Sequence, residues 1–328
     1  MSNVFPSLLS LIGETPLVEI KNIDTGLCKL FVKMESHNPG GSIKDRTALY
    51  IINQAERSGL LKPGGTIIEA TAGNTGIGLA LVGILKGYRV LLVIPDKMSL
   101  EKVTHLKALG AEVIFTRSDV GKDHSEYYHN IAEKLFKEIP GSFYADQFNN
   151  PANIMAHEET TGPEIWQQTD GKIDGFVCAS GTGGTIGGVS SYLKEKNNNI
   201  KIYLSDPRGS ALYNYIQNGE LKSEGGSITE GIGSSRVTKN FATAKIDGAF
   251  SIDDKESLPI IFDLIKNEGL SLGTSSGVNI AGAIRLGKEL GPGKTIVTIL
   301  CDKSDKYNSK LFNKKFLQEK DLPYPNWL

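Results

Sequence analysis

Cysteine is scarce in this chain. Three of its 328 residues, Cys28, Cys178 and Cys301, lie far apart, with no C-x-x-C pair and no zinc-ligand spacing. That argues against a disulfide framework and a metal site, and fits reduced thiols in a cytoplasmic protein. Net charge is equally scarce: 36 basic residues face 37 acidic ones, a formal charge of −1. Neither nucleic acid nor an acidic membrane surface is therefore an expected partner. No uncharged apolar run approaches the roughly 20 residues needed to cross a bilayer. The opening Met1-Ser2-Asn3-Val4-Phe5-Pro6-Ser7 lacks the basic start and apolar stretch of a signal peptide. The Gly-Lys-Ser/Thr signature of a P-loop is missing, and so is any repeat with a period of roughly 20–50 residues.

Glycine is what the chain has in excess, with 37 residues, about 11% against a usual share near 7%. The glycines cluster, which suggests loops built for close backbone approach. The length gives room for about two domains of roughly 150 residues each. Apolar, β-branched runs at 29–35, 66–71, 88–95, 112–117, 176–180, 201–206 and 295–302 read as strands. Stretches with helical spacing lie between them, among them 42–59, 75–87, 99–110, 125–140 and 254–269. Gly59, Gly87, Gly110 and Gly269 stand where helices stop, and Ser42 with Asp45 has the spacing of a capping box. This alternation predicts an α/β fold of mostly parallel sheets flanked by helices, with ligands at the carboxyl ends of the strands. The polar stretch 149–153 marks a crossing between two halves.

Two glycine-rich turns follow predicted strands and lead into predicted helices. They are Glu69-Ala70-Thr71-Ala72-Gly73-Asn74-Thr75-Gly76 and Ser180-Gly181-Thr182-Gly183-Gly184-Thr185. Each offers an anion free N–H groups and the positive end of a helix dipole. The second adds the hydroxyls of Thr182 and Thr185 and needs no cationic side chain. Taken alone, either turn reads equally well as a device for tight packing. A dinucleotide fingerprint fails at Ile186, where its third glycine should stand. Asp206 falls about where a ribose-binding acid would sit, which keeps a nicotinamide-dependent dehydrogenase as a rival. Such an enzyme has no use for Lys44 in the turn Asn38-Pro39-Gly40-Gly41-Ser42-Ile43-Lys44-Asp45-Arg46.

That turn and six further motifs, in the same order, resemble the cysteine synthase and cystathionine β-synthase group of fold type II pyridoxal-phosphate enzymes. The others are Ile12-Gly13-Glu14-Thr15-Pro16-Leu17, the 71–75 loop, the 181–185 loop, Glu230-Gly231-Ile232-Gly233, Gly273-Thr274-Ser275-Ser276-Gly277, and a segment around Gln147. This last begins Gln147-Phe148, continues through Asn150-Pro151-Ala152-Asn153 and His157, and ends at Thr160-Thr161-Gly162-Pro163-Glu164-Ile165-Trp166. The similarity covers nearly the whole chain. It implies a two-domain, tryptophan synthase β-like architecture, with a smaller domain at 39–149. Residues 1–38 together with 150–328 would form the larger one.

The resemblance also implies roles. Lys44 would carry pyridoxal 5′-phosphate as a Schiff base and then remove the substrate Cα proton. A lysine does either only as the free amine, so burial or nearby positive charge must depress its pKa. Gly181, Thr182, Gly183, Gly184 and Thr185 would hold the phosphate, and Asn74 the 3′-oxygen. Ser275 would meet the pyridine nitrogen; a hydroxyl there, in place of a carboxylate, steers the chemistry toward β-elimination and β-replacement. Thr71, Ala72, Gly73, Thr75 and Gln147 would bind the substrate carboxylate, with Gly231 beside the substrate. Blander readings attach to other positions: His157 as a structural hydrogen-bonder, Tyr127-Tyr128 as packing and Cys301 as a small apolar neighbour. Asp253-Asp254 reads as a helix-capping pair and Asp302-Lys303 as a strand-end charge pair.

Ala72 stands where most cysteine synthases carry serine, a hydroxyl contact worth about 0.5–1.5 kcal/mol. The chain leaves no space for the regulatory domain pair of cystathionine β-synthases. The activity implied first is cysteine synthase, joining O-acetylserine and sulfide. L-cysteine desulfhydrase and then cystathionine β-synthase are the alternatives. A non-catalytic protein that docks a serine acetyltransferase tail is the reading from outside enzymology. A homodimer, and serine acetyltransferase as a partner, are further implications of the family likeness.

Overall fold

The computed structural model describes residues 4–71, 73–98 and 100–328. Ten strands run in chain order. They are β1 (Leu17–Ile20), β2 (Lys29–Met34), β3 (Thr66–Glu69), β4 (Arg89–Pro95) and β5 (Glu112–Thr116). Then come β6 (Ser142–Tyr144), β7 (Gly175–Cys178), β8 (Lys201–Pro207), β9 (Gly248–Ile252) and β10 (Thr295–Leu300). The helices that precede β7 are α1 (Lys44–Arg57), α2 (Asn74–Leu85), α3 (Leu100–Ala108), α4 (Tyr128–Glu138), α5 (Ala152–Ala156) and α6 (Gly162–Gln168). Those that follow are α7 (Gly184–Lys196), α8 (Leu212–Asn218), α9 (Asp254–Glu268), α10 (Thr274–Leu290), α11 (Asn308–Leu311) and α12 (Lys314–Glu319). Among the described residues, no helix is long and apolar enough to cross a membrane.

The chain divides into two compact units. One takes the segment up to Ile12 with Asn38–Ala156; the other takes Gly13–His37 with His157–Leu328. The opening segment thus groups with the smaller unit, and the passage between units falls at 156–157.

The smaller unit is built on a four-stranded parallel sheet in the order β5-β4-β3-β6. Its central strands are apolar on both faces, as a sheet covered by helices on both sides requires. Alternation then divides their residues between two cores. Ile67, Val90, Leu92 and Ile94 pack with Ala48 and Ile51 of α1 and with Leu79 and Val82 of α2. Ile68, Leu91 and Val93 face the other way, against Ala132 of α4. Helix ends follow the glycines: Gly87 and Gly269 take φ of +80° and +68° just past α2 and α9, a conformation that costs a residue with a Cβ about 1–2 kcal/mol.

The larger unit holds a six-stranded sheet in the order β1-β2-β10-β7-β8-β9. All its pairings are parallel except β1 with β2. Three strands lie outside the apolar runs of the sequence: β1, β6 and β9. Each is a sheet edge of three to five residues, and edge strands bury too little to need a continuous apolar run. Helix α10 packs against β7, β8 and β10, so its N-terminus and that of α7 reach the carboxyl end of this sheet.

Candidate functional site

In the smaller unit, α1 opens on Lys44, whose side chain is half-buried. The Lys44 N–H donates to Ser42 Oγ at 3.2 Å. A capping box would turn Asp45 back onto Ser42. Its fully buried carboxylate instead accepts the N–H of Gly40, because the left-handed turn at Gly41 (φ +74°) folds Gly40 over the start of the helix. Helix α2 lies close against the same spot: a Cβ on Gly78 would stand 2.8 Å from the Lys44 carbonyl oxygen. Gly78 is about one turn along from Asn74. The lysine and the head of α2 are therefore neighbours.

The loop before α2 is held by a polar network. The Gly73 N–H donates to Thr71 Oγ1 at 3.2 Å, and the buried Thr75 hydroxyl donates to Gln147 Oε1. The Gln147 N–H in turn donates to Glu69 Oε2 at 3.1 Å, and the Ala70 N–H to Glu69 Oε1 at 2.8 Å. Asn153 Nδ2 donates to the Gln147 carbonyl at 2.8 Å, and Thr47 Oγ1 on α1 donates to Asn153 Oδ1 at 3.1 Å. Lys44, Thr71, Gly73, Asn74, Thr75 and Gln147 are thus brought together within one unit. Ala72 lies outside the described residues. Burial, the dominant influence, pushes the Glu69 carboxyl up to about 7. Glu69 escaped the reading of the sequence, although a carboxylate closing an apolar strand directly before a glycine loop was a usable signal.

In the larger unit, the turn between β7 and α7 contains almost no side chain. A Cβ on Gly181 would stand 2.2 Å from the Gly231 carbonyl oxygen, and one on Gly183 2.3 Å from the Phe241 nitrogen. Gly183, at φ +90°, caps α7. The Gly233 N–H donates to the Ser180 carbonyl at 2.8 Å, and Thr238 Oγ1 to that of Thr182 at 2.7 Å. These bonds fix the loop from behind and bring Gly231 (φ +79°) to its side. His157, fully buried, lies 3.3 Å from Thr185 Oγ1 and 2.9 Å from Thr161 Oγ1, a structural bond that anchors the first turn of α7.

Ser275 lies in the first turn of α10 and is buried. One turn on, Asn279 accepts the Ala179 N–H at 2.7 Å and donates to the Ile299 carbonyl at 2.6 Å. Residues four apart share a helix face, so Ser275 is held at the carboxyl ends of β7 and β10. Asn279 was missed as well; its signal is one amide in an otherwise apolar stretch of helix. Asp302 is fully buried and accepts the Tyr307 hydroxyl at 2.7 Å, whereas Lys303 is exposed. The two do not form the expected charge pair, because β10 ends with Asp302 facing inward. Tyr307 is held well above its usual pKa, first by burial and then by the Asp302 charge. Asp253 does cap α9, through the Lys255 N–H at 2.8 Å. Tyr127 and Tyr128 pack edge to face at 4.7 Å.

A dehydrogenase would need Asp206 open to a ribose. The carboxylate is fully buried, accepts the Tyr213 N–H at 2.8 Å in front of α8, and is pushed up to about 6 by burial. It serves the next helix.

The residues present fit a phosphorylated cofactor. The backbone around 181–183 would be filled by any Cβ, and α7 contributes a dipole and free N–H groups there. Three buried hydroxyls, Ser180 Oγ beside that loop and Thr274 Oγ1 and Ser276 Oγ beside Ser275, have no hydrogen-bond partner within the protein. Unsatisfied buried polar groups cost about 1–3 kcal/mol each, which a bound polar ligand would relieve.

Comparison with known proteins matches residues 8–302 to the family described as "Pyridoxal-phosphate dependent enzyme". A curated relative from Emericella nidulans, "Cysteine synthase 1", is 45% identical over 96% of this chain and 86% of its own length. "Cystathionine beta-synthase" of Apis mellifera is 41% identical over 99% of this chain, but over 64% of its own length. A solved structure, a hydrogen sulfide-producing enzyme from Fusobacterium nucleatum, superposes with a TM-score of 0.86 at 35% identity. That match covers 94% of this chain and 99% of the other.

Proposed function

The chain belongs to the pyridoxal-phosphate dependent enzyme family, and from that premise we propose that it is a cysteine synthase, joining sulfide to the β-carbon of an O-activated serine. The observation that carries the reading is the side-chain-free cradle at 181–183 in front of α7. It suits the phosphate of the cofactor and leaves no room for a side chain in its place.

Lys44 is the residue that binds the cofactor covalently. When bound, pyridoxal phosphate supplies an electron sink that lets bonds at the substrate α-carbon break. Its phosphate is held by Gly181, Thr182, Gly183, Gly184 and Thr185, and Asn74 and Ser275 hold the ring through its 3′-oxygen and its nitrogen. Thr71, Ala72, Gly73, Thr75 and Gln147 present N–H and hydroxyl donors to the substrate carboxylate, with Gly231 lining the substrate side. Lys44 Nζ, freed once the amino acid binds, takes the Cα proton and later returns it. The carboxylate leaving group departs from Cβ and sulfide adds there.

Desulfhydrase action on L-cysteine is the second reading, favoured by the likeness to a hydrogen sulfide-producing enzyme. The two differ in which nucleophile meets the activated β-carbon. A homodimer, a cytoplasmic location and a serine acetyltransferase partner belong to the same proposal. Gel filtration with light scattering tests the dimer, and co-elution with the acetyltransferase tests the partner.

The purified protein is expected to be yellow, and Lys44→Ala to lose the absorbance of the lysine-bound cofactor. Colour unchanged in Lys44→Ala refutes the lysine assignment. Turnover of O-acetylserine with sulfide is expected to exceed turnover of cysteine alone. The reverse ranking makes the chain a desulfhydrase.

A further inference from the structure

Glu69 is fully buried at the end of β3, yet its carboxylate meets no cation among the described residues. Its two oxygens are divided between two backbone N–H groups, those of Ala70 and Gln147. Ala70 leads directly into the 71–75 loop. Gln147 follows β6 and accepts the Thr75 hydroxyl through its side-chain oxygen. One carboxylate therefore joins both walls of the proposed substrate loop, across 78 residues of sequence.

A stability role explains this arrangement poorly. A buried carboxylate without a cation is expensive to ionise, and here burial raises the group to about 7. Two buried amides could be satisfied more cheaply by a carbonyl or a neutral side chain. What a carboxylate offers is two acceptors on one rigid plane, set so that both amides are fixed together. The Thr75 bond then dictates which end of the Gln147 amide is nitrogen.

We propose that Glu69 is a positioning residue for substrate binding: by clamping the N–H groups of Ala70 and Gln147 it fixes the 71–75 loop and the Gln147 side chain as one preformed set of donors for the substrate carboxylate. This rests on the assignment of that loop to the substrate and deepens it. Glu69 touches neither substrate nor cofactor; it acts through Ala70, Gln147 and Thr75. Its loss should weaken binding of the amino acid while leaving the chemistry at Lys44 intact.

The test uses the cofactor-loaded enzyme and its Glu69→Gln and Glu69→Asp variants. Glutamine has one acceptor oxygen, so one amide loses its partner. Glu69→Gln is expected to raise KM for O-acetylserine about tenfold or more, the size of one charge-assisted hydrogen bond. Its kcat should stay within about threefold and its cofactor absorbance unchanged. Amide hydrogen exchange around 70–76 and 147 should quicken in the substrate-free protein. Glu69→Asp keeps both acceptors on a shorter arm and should raise KM less than glutamine does. If Glu69→Gln does not fold, a raised KM in Glu69→Asp with its absorbance intact supports the proposal. Unchanged KM and unchanged exchange in the folded variants overturn it, as does a fall in kcat at constant KM. Loss of the substrate assignment itself would be seen elsewhere: the wild type would bind no amino acid, or Lys44→Ala would keep its colour.

Discussion

Gly73 caps α2 with φ −94° and ψ −161°, a conformation open to any residue. It is exposed, and the nearest atom to a Cβ placed there is Thr71 Oγ1 at 3.8 Å. Nothing within the protein requires glycine at this position. Replacing it with alanine costs up to about 1 kcal/mol as a poorer helix cap and regains about 0.4–1 kcal/mol through the less flexible unfolded chain. The net change in stability is near zero, so Tm should move by less than about 3 °C. The reason for glycine must then come from outside. If the substrate carboxylate approaches the N–H groups that open α2, a methyl there displaces it and removes at least one charge-assisted hydrogen bond. Such a bond is worth about 1.5–3 kcal/mol, or roughly a tenfold to hundredfold rise in KM for the amino-acid substrate. Thermal melting and steady-state kinetics of Gly73→Ala read both quantities, with Gly121→Ala as a control because a Cβ there meets nothing within 4 Å. An unchanged KM refutes the carboxylate assignment. A fall in Tm beyond about 5 °C refutes the claim that the position is sterically open.

Gly181→Ala is the opposite case. Its Cβ would stand 2.2 Å from the Gly231 carbonyl oxygen, so the loop must move, costing about 1–3 kcal/mol. Cofactor affinity measured by absorbance titration should fall at least tenfold, and wild-type affinity would remove the loop from the phosphate site. Asn279→Leu leaves the Ala179 N–H and the Ile299 carbonyl buried without their partner. It should cost about 3 kcal/mol in chemical denaturation, and a loss below about 1 kcal/mol would show that α10 is held at the strand ends by packing alone. Glu69 is raised from 4.5 to about 7 in the folded protein, so its contribution to stability is present in full below about pH 4.5. That contribution is lost as the pH rises through about 7, amounting to roughly 3 kcal/mol at about 1.4 kcal/mol per unit. Wild-type unfolding free energy minus that of Glu69→Gln should therefore decline between pH 5 and pH 8. A difference independent of pH contradicts the raised carboxyl.

The sequence displayed what is local. Apolar runs located the central strands β3, β4, β7, β8 and β10, and glycines located the ends of α1, α2, α3 and α9, because period and φ are properties of a few neighbouring residues. The edge strands β1, β6 and β9 bury too little to leave such a trace. The two chemical loops were legible for the same reason, as glycine clusters between a strand and a helix. What the sequence hid depends on partners far along the chain. Glu69 meets Gln147 across 78 residues, and Asn279 meets Ala179 across 100. Even Asp45, read from its spacing to Ser42, finds Gly40 through a turn that Gly41 makes.

The glycines themselves are where the structure adds most. Gly73 and Gly181 occupy equivalent places in two similar motifs, and nothing in the sequence separates them. Gly181 is demanded by a carbonyl oxygen of its own unit and would be conserved in any stable version of this fold, with or without a ligand. Gly73 is demanded by nothing the protein contains. A glycine that stability does not need is free to drift unless a ligand needs it, so Gly73 carries more information about what is bound than the glycine whose collision is obvious. Glu69 follows the same logic from the other side: it lowers stability where it stands, and its two bonds lead to the very loop in which Gly73 lies.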